Sequence, residues 1–242
     1  MELNRSLQEL ADALGLDYCG TADLAPAKNF ISEQGGRAAA AFPTTISIGV
    51  IMPHAIVDQL PNRFDPAVAM SYESHAYNII NQRLNQATSH IAGFLQRAGY
   101  AAMPVAAAEH HDDERICAII SHKLTASLAG FGWIGKSCLL ITPEVGPRVR
   151  WSTVLTDAAF ETHYQRKEER CGDCRECVDA CPVQAFTGRP FREGEPRESR
   201  YDARKCQDYF KQLLREGRRP VCGMCVYACP WGRCLNINIL PA

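Results

Sequence analysis

Cysteine is the residue type whose spacing carries most chemistry in this chain of 242 residues. Cys19, Cys117 and Cys138 are scattered, and the other nine of the twelve cysteines lie between 171 and 234. The first run is Cys171-Gly-Asp-Cys174-Arg-Glu-Cys177-Val-Asp-Ala-Cys181-Pro182, an unbroken C-x2-C-x2-C-x3-C-P pattern. Three thiolates on such a loop can bind three corners of one iron–sulfur cubane, and the fourth is carried on to a second cluster. The proline behind it has no backbone N–H and a fixed φ, so it sets the exit of the chain. The second run is split into Cys206 alone and then Cys222-Gly-Met-Cys225-Val-Tyr-Ala-Cys229-Pro230. Mirror-image logic assigns Cys171, Cys174, Cys177 and Cys229 to one [4Fe-4S] cluster, and Cys181, Cys206, Cys222 and Cys225 to the other. Structural zinc is the competing reading, but it leaves the two C-x3-C-P endings unexplained. Cys234 reads as a spare thiol, and Cys19, Cys117 and Cys138 as small buried hydrophobes.

A second chemical signal lies upstream, in SHKLTASLAGFGWIGKSCLLIT from Ser121 to Thr142. Gly130, Gly132 and Gly135 punctuate a loop, and glycine permits close backbone approach to a ligand. Trp133 offers a flat face and Lys136 a charge. A dinucleotide loop is disfavoured, because the glycines precede a strand pattern and not a helix. His122 and Lys123 sit just before this loop. They are expected to be proton donors near a cofactor, since reduction consumes protons as well as electrons; flanking a helix is the plainer alternative. The run His110-His111-Asp112-Asp113-Glu114 reads as a solvated loop more than a metal cluster. Tyr72, His75 and Tyr77 read as aromatic packing at a helix start. The arginines at 189, 192, 197, 200, 204, 218 and 219 read as a solvated surface that can dock a redox partner.

The elements that must position these residues alternate between helix and strand. Leu3, Leu7, Leu10, Ala11 and Leu14 predict an amphipathic helix over 2–14 that Gly15 stops. Residues 45–52 predict a buried strand between Pro43 and Pro53. Residues 54–70 read as irregular. Ile80, Leu84, Ala87, Ile91, Phe94 and Ala98 predict a helix over about 74–98. Strands are expected near 102–107, at 138–142 and at 149–156, the last two joined by the Pro143–Pro147 turn. Residues 160–170 are charged and mark a boundary. The expected architecture is α+β, with a cofactor-binding domain over 1–160 and a bacterial ferredoxin-like two-cluster module over 161–242.

Composition narrows the function classes. The formal net charge is −1, unlike a dedicated nucleic-acid binder. The N-terminus lacks the apolar core of a secretory signal, and no apolar stretch is long enough for a membrane span. The expectation is a cytoplasmic protein with no membrane partner.

Four stretches together resemble epoxyqueuosine reductase, a cobalamin-dependent iron–sulfur enzyme family related in fold to the corrinoid reductive dehalogenases. They are AGFGWIGKSCLLIT from Ala129, VLTD from Val154, the first cysteine run, and CGMCVYACPW from Cys222. The resemblance spans about Ala11 to Trp231. It implies a nitroreductase-like cobalamin-binding domain, with Gly130, Gly132, Trp133, Ile134, Gly135, Lys136 and Ser137 contacting the corrin. It also implies an external ferredoxin- or flavodoxin-type electron donor. Two departures point to a short paralogue acting on a small or nucleoside-like substrate and not on tRNA. The family's catalytic aspartate precedes the AG by some thirteen residues, where this chain has Ile116-Cys117-Ala118-Ile119. The family's helical-repeat tail is also missing before the chain stops at Ala242. An electron-transfer protein without corrinoid, and a flavin in the N-terminal pocket, are the alternatives.

Overall fold

The computed structural model describes residues 2–162 and 167–233. Cys234 lies outside the described residues. In chain order the elements begin with α1 (Glu2–Ala13), β1 (Tyr18–Asp23), α2 (Lys28–Ala40, kinked at Gly36) and β2 (Thr44–Ile51). Next come α3 (His54–Asp58), α4 (Pro66–Tyr72), α5 (Ile80–Arg97), β3 (Ala102–Val105) and α6 (His122–Leu128). The series closes with β4 (Trp133–Ile134), β5 (Leu140–Ile141), β6 (Val149–Thr156), α7 (Glu176–Asp179), α8 (Ala203–Arg215), α9 (Met224–Tyr227) and α10 (Pro230–Arg233). Among the described residues no helix is long and apolar enough to cross a membrane.

Two compact units emerge, each assembled from separated stretches. One comprises 1–50, 79–131 and 150–167; the other comprises 51–78, 132–149 and 168–242. Where one boundary near 160 is expected from composition, the glycine–tryptophan loop and the segment 51–78 are compacted with the C-terminal cysteines.

The first unit is a sheet with helices. Its four strands run in the order β1-β2-β6-β3, with β1 antiparallel to β2 and β3 antiparallel to β6. The β-branched stretch Thr44–Val50 is buried at every position, as an inner strand covered on both faces requires. Ala22, Leu24, Ile31, Val105, Leu128 and Leu155 form one core cluster that ties strands to α2 and α6. Each large member contributes about 1.5–3 kcal/mol of burial. Leu7 and Ala11 are the buried face of α1, and Gly15 ends it at a positive φ of 64°. In α5 the buried stripe is Ile80, Leu84, Ala87, Ile91 and Leu95. Leu95 replaces the expected Phe94, which is half-buried, and Ala98 is exposed just past the helix end at Arg97. The preceding turn, 73–79, is π-helical.

The second unit is built of short pieces. Residues 54–70, expected to be irregular, form α3, a 3-10 turn at Leu60–Asn62 and α4. The prolines around this stretch stand at helix starts: Pro53 is the N-cap of α3 and Pro66 is in the first turn of α4. A missing N–H costs nothing there. The Asp65 side chain caps α4 by accepting from Ala67 N at 2.8 Å. The strands expected at 138–142 and 149–156, joined by a turn, lie in different sheets. Leu140–Ile141 pairs instead with Trp133–Ile134, and β6 finds its partners in the larger sheet.

Candidate functional site: two cysteine quartets

In the second unit the cysteines sort into two groups. Burial, then the neighbouring Cys229 and Cys174, push the Cys177 thiol up to about 11. Cys229 is likewise raised to about 11 by burial, and Cys171 and Cys174 are its thiol neighbours. Burial is the first cause at Cys225 too, followed by Cys222, Cys206 and Cys181, and only last by Cys177. Cys206 feels Cys181 and Cys222. The neighbour relations therefore separate 171, 174, 177 and 229 from 181, 206, 222 and 225. Among the described residues no three His, Cys, Asp or Glu side chains converge tightly enough for a single ion. Thiols around a cubane stand further apart, because each binds a different iron.

The loop 132–137 wraps the first quartet. At Gly132 a Cβ would stand 2.0 Å from the Ile141 carbonyl oxygen, and at Gly135 it would stand 2.8 Å from Ile141 and 3.3 Å from the Cys171 sulfur. Only glycine lets β4 and β5 close so tightly beside that thiol. Lys136 is 8% exposed, and its ammonium donates to the carbonyls of Gly172 and of Cys174, the latter at 3.1 Å. A buried cation thus grips the backbone of the C-x2-C loop. The Lys136 backbone N–H donates to the Cys171 sulfur, and the Ser137 hydroxyl to the Cys177 sulfur; each holds that thiol's pKa down against burial. The Trp133 indole N–H is buried with no partner at ordinary hydrogen-bond geometry, yet it stands near enough to Cys171 to lower its pKa. Trp133 also packs edge-on against Trp231 at 4.9 Å, and together with Ile141 they enclose Cys229 and Cys171. The backbone N–H groups of Trp231 and Gly232 face the Cys229 sulfur. Behind them lies Arg148, fully buried and paired with Asp58 at 2.6 Å. Ile134 is buried in β4, and Gly130 turns the chain at the end of α6 with φ 82°.

The second quartet has different neighbours. The Tyr201 hydroxyl donates to the Cys206 sulfur, and its ring stacks on Phe186 at 5.1 Å. The Arg63 guanidinium is a charge and hydrogen-bond neighbour of the Cys222 sulfur. Cys206 rides on α8, whose start is capped by Asp202 accepting from Lys205 N at 3.1 Å. Neither Arg63 nor Tyr201 carries a motif, so spacing alone did not single them out.

The remaining predicted residues separate. His122 lies in the first unit and is satisfied on both nitrogens, with Nε2 at 3.0 Å from the Ala106 carbonyl oxygen. Its Nδ1 stands 2.8 Å from the Thr153 hydroxyl. Burial, with Arg150 and Lys123 adding to it, pushes its pKa down to about 4 in spite of the Ala106 bond. A neutral ring with Nε2–H donating and Nδ1 accepting fits both contacts. His122 is thus a pin between α6 and the sheet, and a poor proton donor at neutral pH. Lys123 lies next to it on α6. The run 110–114 makes local bonds: His110 pairs with Asp113 at 2.9 Å, His111 Nε2 stands 2.9 Å from the Gln34 carbonyl, and Asp112 accepts from Glu114 N and Arg115 N. Tyr72 is 1% exposed and packs edge-on with Tyr77. Cys138 is buried, and burial raises Cys19 to about 12, so it is an inert thiol.

Residues 170–232 match the family described as a 4Fe-4S double cluster binding domain, and this stretch contains all eight cysteines of the two quartets. This segment is therefore similar to two-cluster iron–sulfur modules. The chain is 31% identical over 125 residues to the epoxyqueuosine reductase of Pseudomonas aeruginosa, covering 47% of this chain and 32% of that one. The corresponding protein of Bacillus anthracis is 34% identical over 113 residues, covering 46% and 27%. The matched part spans about a third of the length of these relatives. In structure, a catabolic reductive dehalogenase, NpRdhA, superposes with a TM-score of 0.68 at 20% identity, over 94% of this chain and 31% of that one. The epoxyqueuosine reductase of Streptococcus thermophilus superposes with a TM-score of 0.57 at 19% identity, over 96% and 67%. The chain is thus similar in sequence to epoxyqueuosine reductases over about half of its length, and its mixed helix and strand fold is that of the epoxyqueuosine reductase and reductive dehalogenase structures.

Proposed function

We propose that this chain is a corrinoid-dependent iron–sulfur reductase related to epoxyqueuosine reductase. One [4Fe-4S] cluster is held by Cys171, Cys174, Cys177 and Cys229, the other by Cys181, Cys206, Cys222 and Cys225. They carry electrons from an external ferredoxin- or flavodoxin-type donor to a corrin in a nitroreductase-like N-terminal domain. The observation that carries the reading is the sorting of eight cysteines into two quartets within the fold of a dehalogenase whose structure is described in terms of B12-dependent chemistry.

The residues present fit both groups. The quartets are all-thiol and half-buried to buried, with N–H and O–H donors directed at their sulfurs, as buried thiolates need. In the first unit Ser47 Oγ and Trp151 Nε1 are buried without hydrogen-bond partners. A ligand with amide side chains would satisfy such orphaned groups. A bound corrin supplies a cobalt centre that can be reduced to a strong nucleophile. The chain's own residues do the rest. Lys136 clamps the first cysteine loop, Gly132 and Gly135 let the hairpin close on it, and His122 holds α6 to the sheet. Lys123 is the proposed proton source. The near-neutral charge favours a small or nucleoside-like substrate over a whole tRNA.

Anaerobic reconstitution with iron, sulfide and hydroxocobalamin tests this. A base-off corrin spectrum with cobalt near one per chain after desalting is expected. Full iron with no retained corrin would favour the second reading, an electron carrier serving a partner enzyme. That reading draws support from His122, which has no nitrogen left for proton delivery.

A further inference from the structure

We infer that electrons enter at the second quartet, through a surface formed by Arg63, Phe64 and the C-terminal end of α8 with Arg218 and Arg219, which docks an acidic one-electron carrier protein. The inference rests on the two-cluster reading above and adds where the donor binds and what charge it bears.

Three observations converge on this surface. First, Phe64 is 50% exposed, unusual for a large aromatic ring. It is held between two guanidinium groups, Arg63 at 4.5 Å and Arg218 at 4.7 Å from its centroid. An exposed aromatic ring held between cations is preorganised for contact, with little side-chain entropy left to lose. Secondly, Arg63 reaches inward to the Cys222 sulfur, so one side chain joins the exposed ring to a cluster ligand. The first quartet's cation, Lys136, is buried and spends its donors on backbone carbonyls. Thirdly, residues 203–219 carry Arg204, Lys205, Lys211, Arg215, Arg218 and Arg219 against Asp208 and Glu216, while the whole chain has a net charge of −1. The basic residues are concentrated on the element that carries Cys206.

The acids facing this surface do not cancel it. Glu73 pairs with Arg219. Glu216 stands 3.8 Å from Arg218, with both side chains substantially exposed, and such pairs are worth little. A carrier with carboxylates around its redox centre is the complement, and steering by such a patch speeds encounter by tenfold or more at low salt. The step moves one electron and no atoms. The carrier is oxidised by one electron, and the cluster on Cys181, Cys206, Cys222 and Cys225 is reduced by one.

The test is stopped-flow reduction of the reconstituted protein by a reduced plant-type [2Fe-2S] ferredoxin, followed at several ionic strengths. Arg218→Glu is expected to lower the second-order rate about tenfold at low salt, and Phe64→Ala to lower it at every ionic strength through loss of the ring contact. The advantage of the unaltered protein over Arg218→Glu should disappear above about 0.5 M salt, while its advantage over Phe64→Ala should persist. Both variants should keep the iron content and the dithionite-reduced EPR spectrum of the unaltered protein. Unchanged rates in both variants, with clusters intact, would overturn the docking surface and leave the cluster reading standing. Lost binding of a tRNA stem-loop by Arg218→Glu, with unchanged carrier rates, would overturn it in favour of a nucleic-acid face. An iron-free protein after reconstitution would overturn the cluster reading and docking together.

Discussion

The two cysteine quartets share one ligand chemistry and differ in what surrounds them. The first is enclosed by indole rings, backbone N–H groups and a buried lysine that binds carbonyls. Around the second are a tyrosine hydroxyl, an arginine that reaches the sulfur, and a basic helix. Donors and cations near the sulfurs raise a cluster's reduction potential, and solvent exposure adjusts it further. The difference teaches that duplicated motifs need not make equivalent sites. The loop 132–137 belongs structurally to the first quartet, and Arg63 from the segment 51–78 to the second.

The largest test of this contrast is ligand removal. Cys206→Ser should lower iron from about eight to about four per chain and leave the first quartet's EPR signal in place. Cys229→Ser should do the reverse. Next in size is Lys136→Met, which leaves the carbonyls of Gly172 and Cys174 without their cation. Loss of the charge-assisted bonds should cost about 2–3 kcal/mol in denaturant unfolding and shift the potential of the first cluster only.

Acid separates the sheet unit from the quartets. His122 has its pKa pushed down to about 4, below the unfolded value of about 6.5. Below that value the unfolded chain binds the proton first. Stability is therefore unaffected above about pH 6.5 and falls progressively as the pH drops toward 4, by about 1–3 kcal/mol given the residue's partial exposure. His122→Gln should flatten that slope in a pH series of urea melts and leave iron content unchanged. The smallest effect expected is from Arg63→Gln. Both clusters should assemble, and potentiometric EPR should show a lower midpoint for the second cluster with the first unmoved.

The expected ligand partition was read from local spacing, because cubane geometry limits which thiols of a run can share a cluster. Gly132, Gly135 and Lys136 were expected to contact a corrin, since glycines with a lysine at short range mark close approach. What they approach was not legible. The structure directs them at Cys171, Cys174 and Cys177 through tertiary packing. Arg63 and Tyr201 had no local signature at all. Arg63 follows a 3-10 turn in a proline-rich stretch, and only the fold brings it to Cys222. β1 escaped detection because Tyr18–Asp23 is short and carries Gly20 at its centre. Pairing with β2 along its whole length, not propensity, makes it a strand. His122 was legible as chemically placed, but its two hydrogen-bond partners come from 16 and 31 residues away.

The partition itself is tested most directly by iron analysis of two double variants after anaerobic reconstitution. Cys181 and Cys206 lie in different runs but in one quartet, so Cys181→Ser with Cys206→Ser should retain about four iron per chain. Cys177 and Cys206 lie in different quartets, so Cys177→Ser with Cys206→Ser should retain close to none. Equal iron in the two double variants would contradict the account.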